Sequence, residues 1–231
     1  MDPLSTLSFP TGAPQMSVDQ GLVTAAHFRY IAEHCQGEDA FLQQLRHDAQ
    51  AAEIPAISIG PLQATFVQIL LRAARAKQVI EVGTLAGYSA ISMARALPDD
   101  GCVRTIEIEP AHAAFAEAKV ADSDVAGKVV VHCGSGQDIL PTFESGSADA
   151  AFLDADKSGY ATYLEECCRI LKPGGLVMVD NAFAFGQLFY EDPTDREVPA
   201  VRAFNDHMAQ HPGVDGIIVP FGDGMWVGAT R

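Results

Sequence analysis

The sequence predicts an α/β protein with a doubly wound, mostly parallel β-sheet. From Lys77 to the C-terminus, short apolar runs alternate with segments of helical periodicity, which is typical of parallel strands joined by helical crossovers. The first of these runs is followed by a glycine-rich turn and then by a helix start. The chain of 231 residues is long enough to form one such domain around a sizeable core.

The residues before Lys77 are predicted to add helices to this sheet. Residues 1–17 are rich in Pro, Gly, Ser and Thr, which predicts an irregular arm. The spacing of apolar residues then predicts helices at about 18–35, 38–52 and 62–76. We therefore expect a single domain, 1–231, in which 18–76 contribute N-terminal helices and 77–231 form the α/β core.

The elements of this core follow from the alternating pattern. Strands are predicted at 78–83, 102–108, 128–133, 149–154 and 175–180. Helices are predicted at 88–97, 110–121, 158–171 and 196–211. Leu171–Gly175 has the proline and glycines of a turn. Phe221–Gly224 separates two further apolar runs, so we expect a C-terminal hairpin and a seven-stranded sheet that ends with an antiparallel edge strand.

Composition excludes several kinds of partner. The formal net charge of −15 argues against nucleic acid, because phosphate backbones are bound by basic surfaces. The five cysteines fit neither a zinc site nor a CxxC redox pair, which is typical of a reducing compartment. We see no signal-peptide pattern and no apolar run of about 18 residues, so we expect a cytoplasmic protein without a membrane partner.

The turn after the first strand suggests the kind of ligand. Gly83 and Gly87 have Gly-x-x-x-Gly spacing, and Leu85 stands where a dinucleotide-binding turn would have its central glycine. Glu81 lies inside the strand end, an awkward place for a carboxylate that has no partner. A ligand with a cationic part and no phosphate would suit this turn, and S-adenosylmethionine (SAM) is such a ligand. An ordinary strand-to-helix connection with convenient glycines is the alternative.

In an open α/β sheet, ligands bind at the carboxyl ends of the strands, so the other strand ends are candidate site positions. Glu107 ends the second strand, where an acidic residue could accept ribose hydroxyls. A solvated strand-end carboxylate is the alternative. The third strand is followed by Gly134–Asp138, a polar loop that could face an adenine edge.

The fourth and fifth strands end in oxygen-bearing side chains. If these strands are neighbours, Asp154, Asp180 and Asn181 can converge on one point. Three hard oxygen ligands suit Mg²⁺, with Mn²⁺ or Ca²⁺ as alternatives, better than Zn²⁺. Each carboxylate could instead cap a helix or be solvated. Lys157 lies one turn beyond Asp154, where it is either a general base or a surface lysine.

Together these residues resemble the cation-dependent class I O-methyltransferases, the group that contains catechol and caffeoyl-CoA O-methyltransferases. The resemblance extends from about residue 55 to the C-terminus. The matching segments are Val79–Ser89, Thr105–Glu107, Leu153–Lys157, Leu171–Gly175, Val179–Asn181 and Pro220–Gly224. The resemblance implies a Rossmann-like sheet that binds SAM and transfers its methyl group to a hydroxyl.

The resemblance also implies roles for individual residues. The implied cofactor-binding residues are Ile59, Glu81, Gly83, Thr84, Ser89, Glu107, Gly136, Gln137, Asp154 and Asp156. The implied metal ligands are Asp154, Asp180 and Asn181, and Lys157 is the implied catalytic base, acting beside Asp154.

The implied acceptor is a small aromatic molecule with two adjacent hydroxyls, and members of the group are commonly homodimers. This chain departs from the group after Asn181, where it has Ala182–Gly186 and then Phe189-Tyr190. These aromatic residues could wall the acceptor pocket, or could be core or dimer contacts. Two other functions stay open: a SAM-binding protein without catalysis and, less favoured, an NAD-dependent oxidoreductase.

Overall fold

The computed structural model describes residues 25–35 and 37–231. The predicted arm, 1–17, lies outside these residues, as does the first part of the helix predicted at 18–35. The helices are α1 (Ala25–His34), α2 (Ala40–Ala51), α3 (Pro61–Ala73), α4 (Tyr88–Ala94), α5 (Pro110–Ala121), α6 (Gly136–Ile139), α7 (Tyr160–Ile170) and α8 (Val198–Ala209). The strands are β1 (Gln78–Val82), β2 (Cys102–Glu107), β3 (Val129–Cys133), β4 (Ala148–Leu153), β5 (Leu171–Val179), β6 (Val214–Val219) and β7 (Met225–Thr230). Helix α1 belongs to one compact unit, and the elements from residue 37 onward form a second unit.

The seven strands form one sheet in the order β3-β2-β1-β4-β5-β7-β6. Strands β1 to β5 pair in parallel, and β7 is antiparallel to both of its neighbours. The predicted mostly parallel, seven-stranded sheet with an antiparallel C-terminal strand is therefore confirmed. The hairpin places β7 between β5 and β6, so β6 is the edge strand and pairs antiparallel with β7.

Side chains of the central strands alternate between two apolar layers. Val79 and Phe152 face a cluster that includes Leu71 and Ile91 of α3 and α4. The next residue along β1, Ile80, faces the opposite cluster with α7 and α8. Because both sheet faces are covered, the central parallel strands are mostly apolar, and they do not alternate regularly between apolar and polar residues. Full burial of each large apolar side chain contributes about 1.5–3 kcal/mol.

Most elements lie within about three residues of their predicted bounds, and two differ in a way that the structure explains. Strand β5 begins at Leu171, within the predicted turn, and its register with β4 shifts so that Ala148 pairs with Leu171 but Ala150 pairs with Leu176. The intervening Pro-Gly-Gly residues bulge out, and Gly174 has the positive φ, 77°, that only glycine adopts readily. The predicted helix at 158–171 begins instead as a short 3-10 turn, Lys157–Gly159, before α7.

A side-chain hydrogen bond connects the C-terminal strand to α8. Trp226 of β7 pairs with Val179, the last residue of β5, and its indole N–H donates to Asn205 Oδ1 at 2.7 Å. Within the described residues, every helix is too short or too polar to cross a membrane.

Candidate active site

A cavity of about 700 Å³ opens at the carboxyl ends of the parallel strands. The register explains its position: Val82 of β1 lies level with Ile106 of β2 and with Leu153 of β4, and Leu153 lies level with Val179 of β5. The residues that follow these strand ends therefore meet at one edge of the sheet. Of the residues predicted for the site, the cavity is lined by Ile59, Gly83, Thr84, Ser89, Glu107, Gly136, Asp154, Asp156, Lys157 and Asn181.

The turn after β1 is held by contacts on both sides. Gly83 has φ 102°, and a Cβ there would lie 2.0 Å from the backbone oxygen of Asp154. The glycine is thus required by the close approach of the β4 end, not only by space for a ligand. Leu85 also has a positive φ, 49°, and its N–H donates to Glu107 Oε2 at 2.7 Å.

Both carboxylate oxygens of Glu107 accept hydrogen bonds from backbone N–H groups. Oε2 accepts from Leu85, and Oε1 accepts from the N–H of Glu109 at 2.9 Å. The side chain is buried. The solvated strand-end carboxylate considered from the sequence is therefore excluded, and the two oxygens are fixed at the edge of the cavity.

Glu81 is fully buried directly behind the cavity turn. Neither of its carboxylate oxygens has a hydrogen-bond partner among the described residues. Burial raises the pKa of Glu81 to about 8, and the nearby hydroxyls of Ser89 and Thr105 offset only part of this rise. An orphaned buried carboxyl of this kind fits a ligand that brings a positive charge.

Of the three residues predicted to lie near the adenosine, Gly136 and Asp156 line the cavity and Gln137 does not. Gly136 begins α6 and is buried, since a Cβ there would lie 2.8 Å from the ring of Tyr163. Asp156 accepts from the N–H of Gly159 at 2.9 Å and from the Tyr163 hydroxyl at 2.7 Å, so it caps the 3-10 turn as well as lining the cavity. Gln137 is exposed and lies outside the lining, so its cofactor role stays a prediction.

The fourth and fifth strands are neighbours, which was the condition for a metal site. Asp154 and Asp180 directly follow the paired residues Leu153 and Val179. Burial raises the pKa of Asp180 to about 7, and the charge of Asp154 adds to this effect. The amide of Gln63 donates to Asp180 Oδ1 at 2.9 Å. Asp180 is buried and Asp154 is half-buried. Two neighbouring carboxyl groups of this kind are a donor set that a divalent cation stabilises.

Lys157 lies inside the site and is only 5% exposed, so the alternative of a surface lysine is excluded. Its Nζ donates to Asp154 Oδ1 at 3.2 Å and to the Tyr160 hydroxyl at 2.6 Å. Burial raises the pKa of Tyr160 well above its usual value, so this hydroxyl stays neutral. Glu197 accepts from the backbone N–H of Lys157 at 3.2 Å and helps to fix the turn.

Asn181 follows Asp180 with φ 63°, in the left-handed region where asparagine is better tolerated than most residues. Its amide nitrogen donates to Asp223 Oδ2 at 3.2 Å, which leaves the amide oxygen available to a ligand. Among the aromatic residues that follow, Phe185 lines the cavity, whereas Phe189 and Tyr190 are exposed elsewhere.

Sequence reasoning assigned no role to several residues that support the site: Gln63, Tyr160, Glu197 and Asp223. Tyr160 had one usable signal, because it lies three positions after Lys157. Asp223 stands in the matching segment Pro220–Gly224, but nothing in that segment reveals its partner.

A second group of potential ligands, Glu165, His207 and His211, lies on α7 and at the C-terminal end of α8. The N–H of Gly213 donates to His211 Nδ1 at 3.1 Å, which places the ring proton of a neutral His211 on Nε2. Nε2 then donates to Glu165 Oε1 at 3.2 Å and has no lone pair for a metal. We therefore interpret this group as a hydrogen-bonded link between two helices.

Comparison with known proteins agrees with this geometry. A family model described as O-methyltransferase matches residues 32–230. A catechol O-methyltransferase of Niastella koreensis is 37% identical over 193 residues, covering 82% of this chain and 87% of that protein. A catechol O-methyltransferase of Mycobacterium tuberculosis is 34% identical, covering 79% of this chain and 83% of that protein.

Solved structures give the same result. The O-methyltransferase of Bacillus cereus in complex with SAH superposes with a TM-score of 0.80 at 28% identity, covering 89% of this chain and 97% of that one. An O-methyltransferase of Streptomyces achromogenes in complex with SAM superposes with a TM-score of 0.79 at 30% identity, covering 88% and 95%. The chain therefore belongs to the class I, SAM-dependent O-methyltransferase family.

Proposed function

We propose that this enzyme methylates one hydroxyl of a catechol-like acceptor, a small aromatic molecule with two adjacent hydroxyls, in a reaction that requires a divalent cation. The observation that carries the proposal is the convergence of Asp154, Asp180, Asn181 and Lys157 at the ends of two paired strands. The catechol O-methyltransferase names of two relatives support the acceptor class.

The residues present fit both partners of the reaction. The orphaned carboxyl of Glu81 fits the positive charge of SAM, and the fixed oxygens of Glu107 fit ribose hydroxyls. Carboxylate oxygens of Asp154 and Asp180 and the amide oxygen of Asn181 would hold Mg²⁺, with Mn²⁺ or Ca²⁺ as alternatives. When bound, SAM supplies an activated methyl group and the cation lowers the pKa of the acceptor hydroxyls.

The chain itself moves the proton and positions the reactants. Lys157 Nζ takes the proton of the attacking hydroxyl, and the resulting ammonium is stabilised by Asp154 Oδ1 and the Tyr160 hydroxyl. The acceptor oxygen forms a bond to the methyl carbon as the bond from carbon to sulfur breaks, which leaves SAH. Holding the two reactants in line can lower the barrier by roughly 7–11 kcal/mol.

Phe185 is our candidate for one wall of the acceptor pocket. It lines the cavity, and its ring centroid lies 5.9 Å from Lys157 Nζ. A flat aromatic acceptor would pack against this ring with its hydroxyls toward the lysine.

The test is methyl transfer from SAM to a panel of catechols and caffeoyl esters, with Mg²⁺ and then with EDTA. We expect transfer to catechols that stops in EDTA and returns when Mg²⁺ is restored. Monohydroxy analogues of the same ring are the matched control and are expected to be poor acceptors. Transfer that continues in EDTA would contradict the metal-dependent mechanism. SAM binding without transfer to any acceptor would favour a non-catalytic role.

The resemblance leads us to propose that the enzyme is a cytoplasmic homodimer. Light scattering coupled to size-exclusion chromatography measures the mass directly, and a mass near twice the 24.6 kDa of one chain is expected. A monomer at micromolar concentration would contradict the dimer.

A further inference from the structure

The carboxylate of Asp223 is a meeting point of three hydrogen bonds. It lies in the turn between β6 and β7 and accepts from the side-chain amide of Asn181 at 3.2 Å. It also accepts from the backbone N–H of Phe185 at 2.7 Å and of Gly186 at 2.9 Å. One side chain thus contacts both a candidate metal ligand and the loop that walls the acceptor side of the cavity.

That loop has an unusual backbone. Ala184, Phe185 and Gly186 have consecutive positive φ angles of 55°, 59° and 73°. A positive φ is unfavourable for residues other than glycine. Consecutive residues therefore keep this conformation only where surrounding contacts stabilise it. Asp223 supplies these contacts. Its backbone oxygen accepts from the N–H of Phe183 at 2.8 Å, and its carboxylate accepts from the N–H groups of Phe185 and Gly186.

The two ends of this connection have different tasks. At Asn181, the bond from the amide nitrogen to Asp223 fixes which way the amide points and leaves its oxygen free to bind a cation. At Phe185, the bond to the backbone holds the aromatic ring beside Lys157. Losing Asp223 would release both at once.

We propose that Asp223 is a positioning residue that couples cation binding at Asn181 to the order of residues 182–190. This segment carries Phe185, which lines the cavity, and is called the acceptor wall here. This inference rests on the proposed metal-dependent function. Because coupling between two sites is reciprocal, a bound cation stabilises the wall, and an ordered wall strengthens cation binding.

The test compares wild type with Asp223→Asn, which keeps the size of the side chain but replaces one acceptor oxygen with a donor. Asp215→Asn is the matched control, because Asp215 lies at the far end of the same hairpin and pairs with Arg231. Affinity for Mn²⁺ is measured by electron paramagnetic resonance with SAM present and no acceptor. Hydrogen exchange of residues 182–190 is measured with and without Mn²⁺.

We expect Asp223→Asn to weaken Mn²⁺ binding by roughly 10–100-fold, the usual range for residues that orient metal ligands. Exchange in the wall should become faster, SAM affinity should stay within about twofold of wild type, and Asp215→Asn should behave as wild type. In the wild-type protein, saturating Mn²⁺ should slow exchange in the wall, and this protection should be lost in Asp223→Asn.

Two outcomes would overturn the inference. One is wild-type Mn²⁺ affinity in a folded Asp223→Asn variant. The other is wild-type protein that binds Mn²⁺ with no change in hydrogen exchange of the wall. This second test does not depend on whether the variant folds. Wild-type protein that binds no Mn²⁺ would instead contradict the proposed metal-dependent function, and with it the coupling.

Discussion

Glu81 is a side chain that destabilises the ligand-free fold in a pH-dependent way. Its pKa rises from the ordinary 4.5 to about 8 because it is buried. Between these pH values, the folded state holds a proton that the unfolded state has released. Since the folded state binds more protons, stability falls as pH rises through this window. This cost is consistent with a carboxyl that is kept for a cationic ligand.

We predict that Glu81→Gln removes this pH dependence. The variant should resemble wild type near about pH 5 and exceed its stability near about pH 8 by on the order of a few kcal/mol, because no buried carboxyl has to ionise. Urea unfolding at the two pH values measures the difference. Exposed Glu117 supplies the control, Glu117→Gln, which should keep the wild-type slope. The same slope in Glu81→Gln would show that Glu81 is not the group responsible.

Lys157 leads to a prediction about catalysis. Lys157→Met keeps most of the side-chain volume but cannot accept a proton, so the methyl-transfer rate should fall by about 10²–10⁴-fold. SAM affinity, measured by calorimetry, should be retained. Lys172→Met is the control, because Lys172 is an exposed lysine paired with Asp149. Equal rates in Lys157→Met and wild type would exclude this lysine as the base.

Residues at strand ends were predictable from sequence, but the residues that orient them were not. Asp154 and Lys157 follow a recognisable apolar strand, and the position of the site relative to a parallel sheet is general. Gln63 is 117 residues from its partner Asp180, and Asp223 is 42 residues from its partner Asn181. Such hydrogen bonds depend on how α3 and the β6–β7 turn pack, which no local pattern specifies.

At the scale of the element, the turn from β1 to α4 is tightly constrained by its neighbours. Its glycine at position 83 packs against the backbone that follows β4, so the turn and the β4 end can only be moved together. Element types were predictable because strand and helix periods differ. The place of β7 between β5 and β6 was not, since a hairpin pattern does not reveal which of its strands joins the sheet.

The turn supplies a third prediction. In Gly83→Ala, the new methyl group would lie 2.0 Å from the oxygen of Asp154. Both segments are backbone and cannot yield easily, so we expect a loss of roughly 3 kcal/mol or more of stability, together with weaker SAM binding. Gly127→Ala is the control, because a Cβ there has nothing within 4 Å. Thermal unfolding of the two variants checks the prediction, and equal midpoints would contradict it.

For the whole molecule, a ligand that binds only the folded state raises the free energy of unfolding. SAM at about 100 times its dissociation constant should add about 2.7 kcal/mol of stability. For a chain of this length, that corresponds to a rise of roughly 5–10 °C in the melting temperature. Differential scanning fluorimetry with NAD as the control ligand should show a shift for SAM alone. A shift for NAD instead would favour the oxidoreductase alternative that Leu85 argues against.

The position of Trp226 gives this protein a built-in optical reporter. The chain has a single tryptophan, so all indole fluorescence comes from one known place. That indole lies on β7 opposite Val179, the residue directly before Asp180. Emission excited at the red edge of the absorption band therefore reads out the strand end that leads into the candidate cation site. No label has to be attached, and every titration can be followed on the unmodified chain.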